Sequence, residues 1–169
     1  MCEALLWSRF PIQSGDTCME IGSSPGGAAQ ALLSKGLHVI GVDPAEMHPT
    51  LLAHPHFTHL RRRGTDVKHR DFQSLNWLVV DANIASEKTL NMVESIVSLP
   101  HVDLRGLLLT VKLRDWNLAK QIPEYVQRVR SWSFESVRAR QLAFNKQEIC
   151  IAAMRKRSMR RGPRKKMTV

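Results

Sequence analysis

At 169 residues the chain is long enough for one domain with its own core, and its apolar share of 43% is ordinary for a globular protein. No apolar run reaches the length of a membrane span. The start, "MCEALLWSRF", lacks the basic head and small-residue cleavage site of a secretory leader. The three cysteines, Cys2, Cys18 and Cys150, form neither a CxxC pair nor a metal-ligand pattern, so reduced thiols, a cytoplasmic location and no metal are expected. The net charge of +10 points to a polyanion, nucleic acid first.

Strand-like and helix-like segments alternate, which predicts an α/β fold with a mostly parallel sheet. "TCMEI" (17–21) reads as a buried strand and "GGAAQALLSKG" (26–36) as an Ala- and Leu-rich helix stopped by Gly36. A second strand, "LHVIGVD", is followed by a short helix that Pro49 breaks or restarts. "FTHLRR" and "NWLVVD" (76–81) are the third and fourth strands, with "SEKTLNMVESIVSL" the helix after them. "RGLLLTVKL" (105–113) is a fifth strand, and "NLAKQIPEYVQRVRSW" a helix interrupted near Pro123. The segments "FESVRARQLAF" and "QEICIAAMR" are β-rich and joined by "NK", which predicts a C-terminal antiparallel hairpin. There are no internal repeats. One domain is expected over 1–154, followed by a basic, disordered tail over 155–169.

Gly22, Pro25, Gly26 and Gly27 lie in the turn between the first strand and its helix. Glycines there give a ligand access to bare amides at the positive end of a helix. The spacing is neither G-x-G-x-x-G nor a P-loop. Asp43 ends the next strand, where an acid accepts hydrogen bonds from a ribose. The pair implies an adenosine-containing ligand and fits a nicotinamide cofactor or S-adenosylmethionine equally. Asp66, Asp81 and Lys112 follow at or just past later strand ends, and Glu148 opens the last β segment. Alone, each has a structural explanation, such as a helix cap or a lysine reaching for water. Their order after a glycine loop favours a site at the carboxyl edge of the sheet.

These motifs resemble the FtsJ-like 2′-O-ribose RNA methyltransferases, whose first motif is an acid followed by G-x-x-P-G-G, here "EIGSSPGG". The resemblance covers roughly 3–156. It is strongest to the RlmM-type subgroup, which methylates a cytidine ribose in large-subunit ribosomal RNA, through "THLRRRGTDVKHR" and "ARQLAFNKQEICIAAMRK". It implies a Rossmann-like fold, S-adenosylmethionine as cofactor and ribosomal RNA as partner. It places Glu20, Gly22, Ser24, Pro25, Gly26 and Gly27 at the methionine and ribose end of the cofactor, Asp43 at the ribose, and Asp66 and Val67 at the adenine. Of the family's Lys, Asp, Lys, Glu set, Asp81, Lys112 and Glu148 match the last three. Ala28 stands where the family often has an aromatic, and "DANIAS" lacks the proline that often follows the Asp.

The family's first lysine falls just before Met1, so a chain shortened at its start is expected. The alternative is a weakly catalytic paralogue that binds cofactor or RNA; a nicotinamide-dependent oxidoreductase is a third reading. Arg61, Arg62, Arg63, Arg114, Arg155 and Lys156 are the candidate RNA contacts, with Lys68, His69 and Arg70 extending the first basic stretch. Trp116 suits either base stacking or, as is commoner, the core. His48, His54, His56 and His59 show no tetrahedral ligand spacing.

Overall fold

The structure is a computed structural model, and it describes residues 1–155. Seven strands form one sheet: β1 (Thr17–Ile21), β2 (His38–Val42), β3 (Phe57–Leu60), β4 (Trp77–Val80), β5 (Gly106–Lys112), β6 (Ser136–Arg140) and β7 (Glu148–Met154). Their spatial order is β3-β2-β1-β4-β5-β7-β6. The strands β3, β2, β1, β4 and β5 are parallel, while β7 runs antiparallel to both β5 and β6. The chain order therefore reverses between β1 and β4, the crevice where open α/β sheets bind ligands.

The helices are α1 (Cys2–Ser8), α2 (Gly27–Leu33), α3 (Pro49–Leu52), α4 (Ser86–Val97) and α5 (Ile122–Ser131). Because strand side chains alternate between faces, each strand feeds two cores. Met19, Ile21, Leu78, Val80, Leu107 and Leu109 pack into one core with α4 and α5. Cys18, Trp77, Val79, Leu108, Cys150 and Ala152 pack into the other with α1 and α2. All three cysteines are free, two of them buried. No helix among the described residues is long and apolar enough to cross a membrane.

The predicted strands and the C-terminal antiparallel pair agree with the structure. Three local features differ. Helix α1 has no counterpart in the sequence reading, since only Ala4, Leu5 and Ser8 of its seven residues are buried. The link between β6 and β7 is not a two-residue "NK" turn but the segment 141–147. It is long because Leu142 dips into the α1-side core and the Glu3 carboxylate accepts the Ala143 and Phe144 N–H groups at 2.9 and 3.4 Å. Asp66 follows the third strand, as expected, in a 3-10 turn (Gly64–Asp66). Trp116, expected in the core, is 63% exposed at the start of a 3-10 turn. The expected basic tail, Lys156 included, lies outside the described residues except for Arg155.

The amino edge is closed by one polar cluster. The Asp16 carboxylate accepts hydrogen bonds from Arg105 Nη1 (2.7 and 2.8 Å), Trp77 Nε1 (2.8 Å) and the Gln13 N–H (2.9 Å), and the guanidinium lies 4.8 Å above the Trp77 ring. Both charged groups are largely out of water, so removing the carboxylate takes the ionic partner from a part-buried guanidinium that keeps the Pro11 carbonyl and the Trp77 ring. Asp16→Ala is expected to cost about 3 kcal/mol, read as a lower urea midpoint with an unchanged slope.

Candidate active site

Strand β1 ends in "EI", and its side chains alternate: Met19 and Ile21 face the α4 side, Cys18 and Glu20 the α1 side. The chain then turns sharply at Gly22, where φ is +86°. A Cβ there would come within 2.5 Å of the Asp81 carbonyl oxygen, so only glycine lets β1 and β4 part at this distance. Gly26 has φ +121°, and a Cβ on it would strike Leu51.

Asp43, just past β2, braces the loop. Its Oδ2 accepts the Ser24 N–H at 3.2 Å and its Oδ1 the Ala45 N–H at 2.8 Å. Ser24 Oγ donates to the Glu46 carbonyl at 2.8 Å. One lone-pair direction remains on each Asp43 oxygen, and the residue borders a cleft of about 470 Å³ together with Gly22, Arg63, Thr65, Asn83 and Ile84.

Glu20 is fully buried, and neither carboxylate oxygen has a hydrogen-bond partner among the described residues. Burial, then the charges of Asp81 and Asp43, push its pKa up to about 8. A buried acid with both oxygens unmatched beside a glycine cradle fits a cationic ligand group.

The second cluster lies on the same face. Lys112, at the end of β5, is paired in register with Glu148 at the start of β7. Its Nζ donates to Glu148 Oε1 at 2.5 Å and to Asp81 Oδ1 at 3.1 Å. Burial pulls the ammonium down, but the Glu148 hydrogen bond and the Asp81 charge outweigh it and hold the pKa above lysine's ordinary value. The structure thus brings Asp81, Lys112 and Glu148 together from three strands, with Asp81 the most open to solvent.

Other expected residues scatter. Pro25, Gly26 and Gly27 border a separate cleft of about 530 Å³ with Gln30 and His48. Asp66 is exposed and Val67 is buried in the core; their neighbours Gly64 and Thr65 border the Asp43 cleft instead. Arg61 pairs with Glu46 at 3.4 Å and Arg62 with Asp71 at 3.5 Å. Arg63 borders the cleft, and Arg114 Nη2 donates to the Asn83 carbonyl at 3.3 Å, beside the Lys112 cluster. Arg155 pairs with Asp103 at the amino edge, away from the site. His56 Nδ1 lies 3.2 Å from His38 Nδ1, and His59 Nε2 bonds the Asp43 carbonyl. Among the described residues no group of His, Cys, Asp or Glu could hold a metal ion. Thr65, Ile84, Lys88 and Met92 also line the Asp43 cleft. The sequence did not single them out, because the loops that carry Thr65 and Ile84 and the helix α4 that carries Lys88 and Met92 meet only in the fold.

The Glu20 proton makes stability depend on pH. Between about 4.5 and 8 the folded chain keeps a proton that the unfolded chain has released, so stability falls as pH rises through that window. The slope is about 1 kcal/mol per pH unit. In Glu20→Gln this loss between pH 5 and 8 is expected to vanish, measured by urea unfolding at both ends of the range.

The family model of FtsJ-like methyltransferases matches residues 5–104. The chain is 34% identical over 70 residues to ribosomal RNA large subunit methyltransferase M of Laribacter hongkongensis, a match covering 41% of this chain and 19% of that protein. It is 32% identical over 85 residues to the protein of the same name from Alkalilimnicola ehrlichii, covering 47% and 23%. The matched region thus spans about a fifth of the length of these curated relatives. Two of the solved structures that share the fold at low identity bear on methyl transfer or rRNA by their names. One is the fibrillarin pre-rRNA processing protein of Methanococcus jannaschii (TM-score 0.66, 10% identity, covering 89% of this chain and 72% of that one). The other is 1,6-didemethyltoxoflavin-N1-methyltransferase of Burkholderia thailandensis, solved with bound S-adenosylhomocysteine (TM-score 0.63, 15% identity, covering 84% and 72%). With the glycine loop and the strand-end acids in place, the chain belongs to the FtsJ-like methyltransferase family.

Proposed function

We propose that this chain is a catalytic domain that transfers a methyl group from S-adenosylmethionine to a ribose 2′-hydroxyl of ribosomal RNA. The observation that carries the reading is the Lys112 ammonium held between Asp81 and Glu148, on the same sheet face as the unpartnered carboxyl of Glu20. Glu20 would take the amino group of the methionine moiety, and the free lone pairs of Asp43 would accept the ribose hydroxyls. When bound, the cofactor supplies an activated methyl and its own leaving group.

The protein has to orient the 2′-oxygen and manage its proton. Lys112 is held charged by its two carboxylates, so it works as a donor that fixes the oxygen and steadies the negative charge growing on it. Asp81, the most open of the three, is placed to accept the hydroxyl proton. Glu148 keeps the ammonium aimed. Exposed Trp116, four residues past Lys112, offers a face on which the target base can stack. The nicotinamide reading drops out with membership of a methyltransferase family.

Calorimetric titration with S-adenosylmethionine tests the cofactor half of the reading. Asp43→Ala is expected to weaken binding by about tenfold or more. Glu20 has to ionise to pair with a cation, so binding near pH 7 is expected to release a proton, seen as a heat that varies with buffer ionisation enthalpy. Radiolabelled methyl transfer to a ribosomal RNA fragment tests the rest. Lys112→Ala is expected to lower the rate by about 100-fold or more, with the affinity for S-adenosylhomocysteine retained. Cofactor binding without transfer by the unaltered chain would favour the weakly catalytic paralogue.

A further inference from the structure

We infer that a cleft between α1 and β6 holds a nucleotide of the substrate RNA next to the one being methylated; the inference rests on the RNA-methyltransferase reading above. Helix α1 has two working faces. Ala4, Leu5 and Ser8 are buried against the sheet, while Glu3, Leu6 and Trp7, spaced i, i+3, i+4, border a cleft of about 520 Å³ whose other lining residues are Arg9, Arg138 and Arg140.

On β6 the arginines alternate with Val137 and Ala139, which pack into the opposite core, so both project to the α1 side. Arg138 fixes the wall: its Nη2 donates to the Ser8 carbonyl at 2.6 Å and its guanidinium lies 5.3 Å from the Trp7 ring centroid. Arg9 and Arg140 are exposed. The one acid in the lining, Glu3, is occupied by the Ala143 and Phe144 N–H groups. Three guanidiniums against one engaged carboxylate, with an indole and an exposed Leu6 between them, suit a phosphate and a base together.

Position connects this cleft to the chemistry. The registers Lys112↔Glu148, Cys150↔Arg140 and Ala152↔Arg138 put Lys112, Glu148 and both arginines on one face of the sheet. Arg140 lies two strands across and two residues along from Lys112, about 12 Å away at ordinary sheet spacings. The link 141–147 runs between them and carries Phe144, 92% exposed. The run Arg61, Arg62, Arg63, by contrast, follows β3, four strands from β5 and about 19 Å away, and two of its three charges face carboxylates.

The test is fluorescence anisotropy of the full chain with a short fluorescein-labelled single-stranded RNA across a salt series. Arg9→Glu/Arg140→Glu is expected to weaken binding about tenfold or more and to flatten the log–log salt slope by about 1.4, or 0.7 per lost phosphate contact. The charge-matched Arg61→Glu/Arg70→Glu is expected to lose less than about threefold. Affinity for S-adenosylhomocysteine monitors the fold, and the milder Arg140→Gln alone is expected to weaken RNA binding about threefold. An equal loss in both charge-reversal variants, or the larger loss in the Arg61/Arg70 pair, overturns the assignment while leaving the RNA reading intact. If the unaltered chain shows no salt-dependent RNA affinity, the RNA reading itself falls, and the cleft with it.

Discussion

A strand that turns its side chains alternately up and down can offer only every second residue to a given face, and this constraint decides what can meet at the carboxyl edge. Glu20, Asp81, Lys112 and Glu148 come from four different strands, yet each falls on the α1-side parity of its strand, in step with Cys18, Val79, Leu108 and Cys150. A slip of one residue in the β5–β7 pairing would send Glu148 into the opposite core and leave Lys112 with a single carboxylate. The register is held by apolar side chains outside the Lys112 cluster. Ile149, Ile151 and Ala153 on one side and Cys150 and Ala152 on the other are all buried.

The same geometry crowds acids. Asp81 and Asp43 lie close enough to raise the cost of ionising Glu20, which the Met1 ammonium offsets only in part, while Lys112 is engaged by Asp81 and Glu148. Left alone, such a site keeps Glu20 protonated at neutral pH. Its stored preference is for a cation, and the natural way to relieve it is to bind one. Anion-binding glycine loops work the other way, with amides and a helix end drawing in phosphate. Here the buried acid behind the loop reverses that polarity, and the seven-residue helix α2 is too short to dominate it.

What the sequence revealed depended on whether a signal was local. The β1, β2, β4 and β5 runs are apolar, bounded by turn residues and closed by Glu20, Asp43, Asp81 and Lys112, so both strand and edge residue could be read in place. Helix α1 could not, because its amphipathic pattern has a meaning only once β6 and the 141–147 link are known to flank it. Trp116 was misjudged for a similar reason: large aromatics are buried on average, and nothing nearby in the chain shows that a 3-10 turn lifts this one out. The Arg61, Arg62, Arg63 run was conspicuous in sequence, yet Glu46 and Asp71 partly neutralise it across loops. Arg9, Arg138 and Arg140 were inconspicuous singly and gather only through a contact spanning about 130 positions.

Glu3 has a consequence of a mechanical kind. Its carboxylate clamps the backbone of the link that leads directly into Glu148, and α1 is otherwise seated by Ala4, Leu5 and Ser8 and by the Arg138 hydrogen bond to the Ser8 carbonyl. Whatever is attached to or pulls on the first turn of α1 therefore acts on a lever whose far arm is the strand start that aims Lys112. A tag, a fusion or a preceding domain at that end is coupled to the geometry of the Lys112 cluster, whereas β7 ends at the amino edge, with the Arg155 N–H donating to the Arg105 carbonyl, at the far side of the sheet from that cluster.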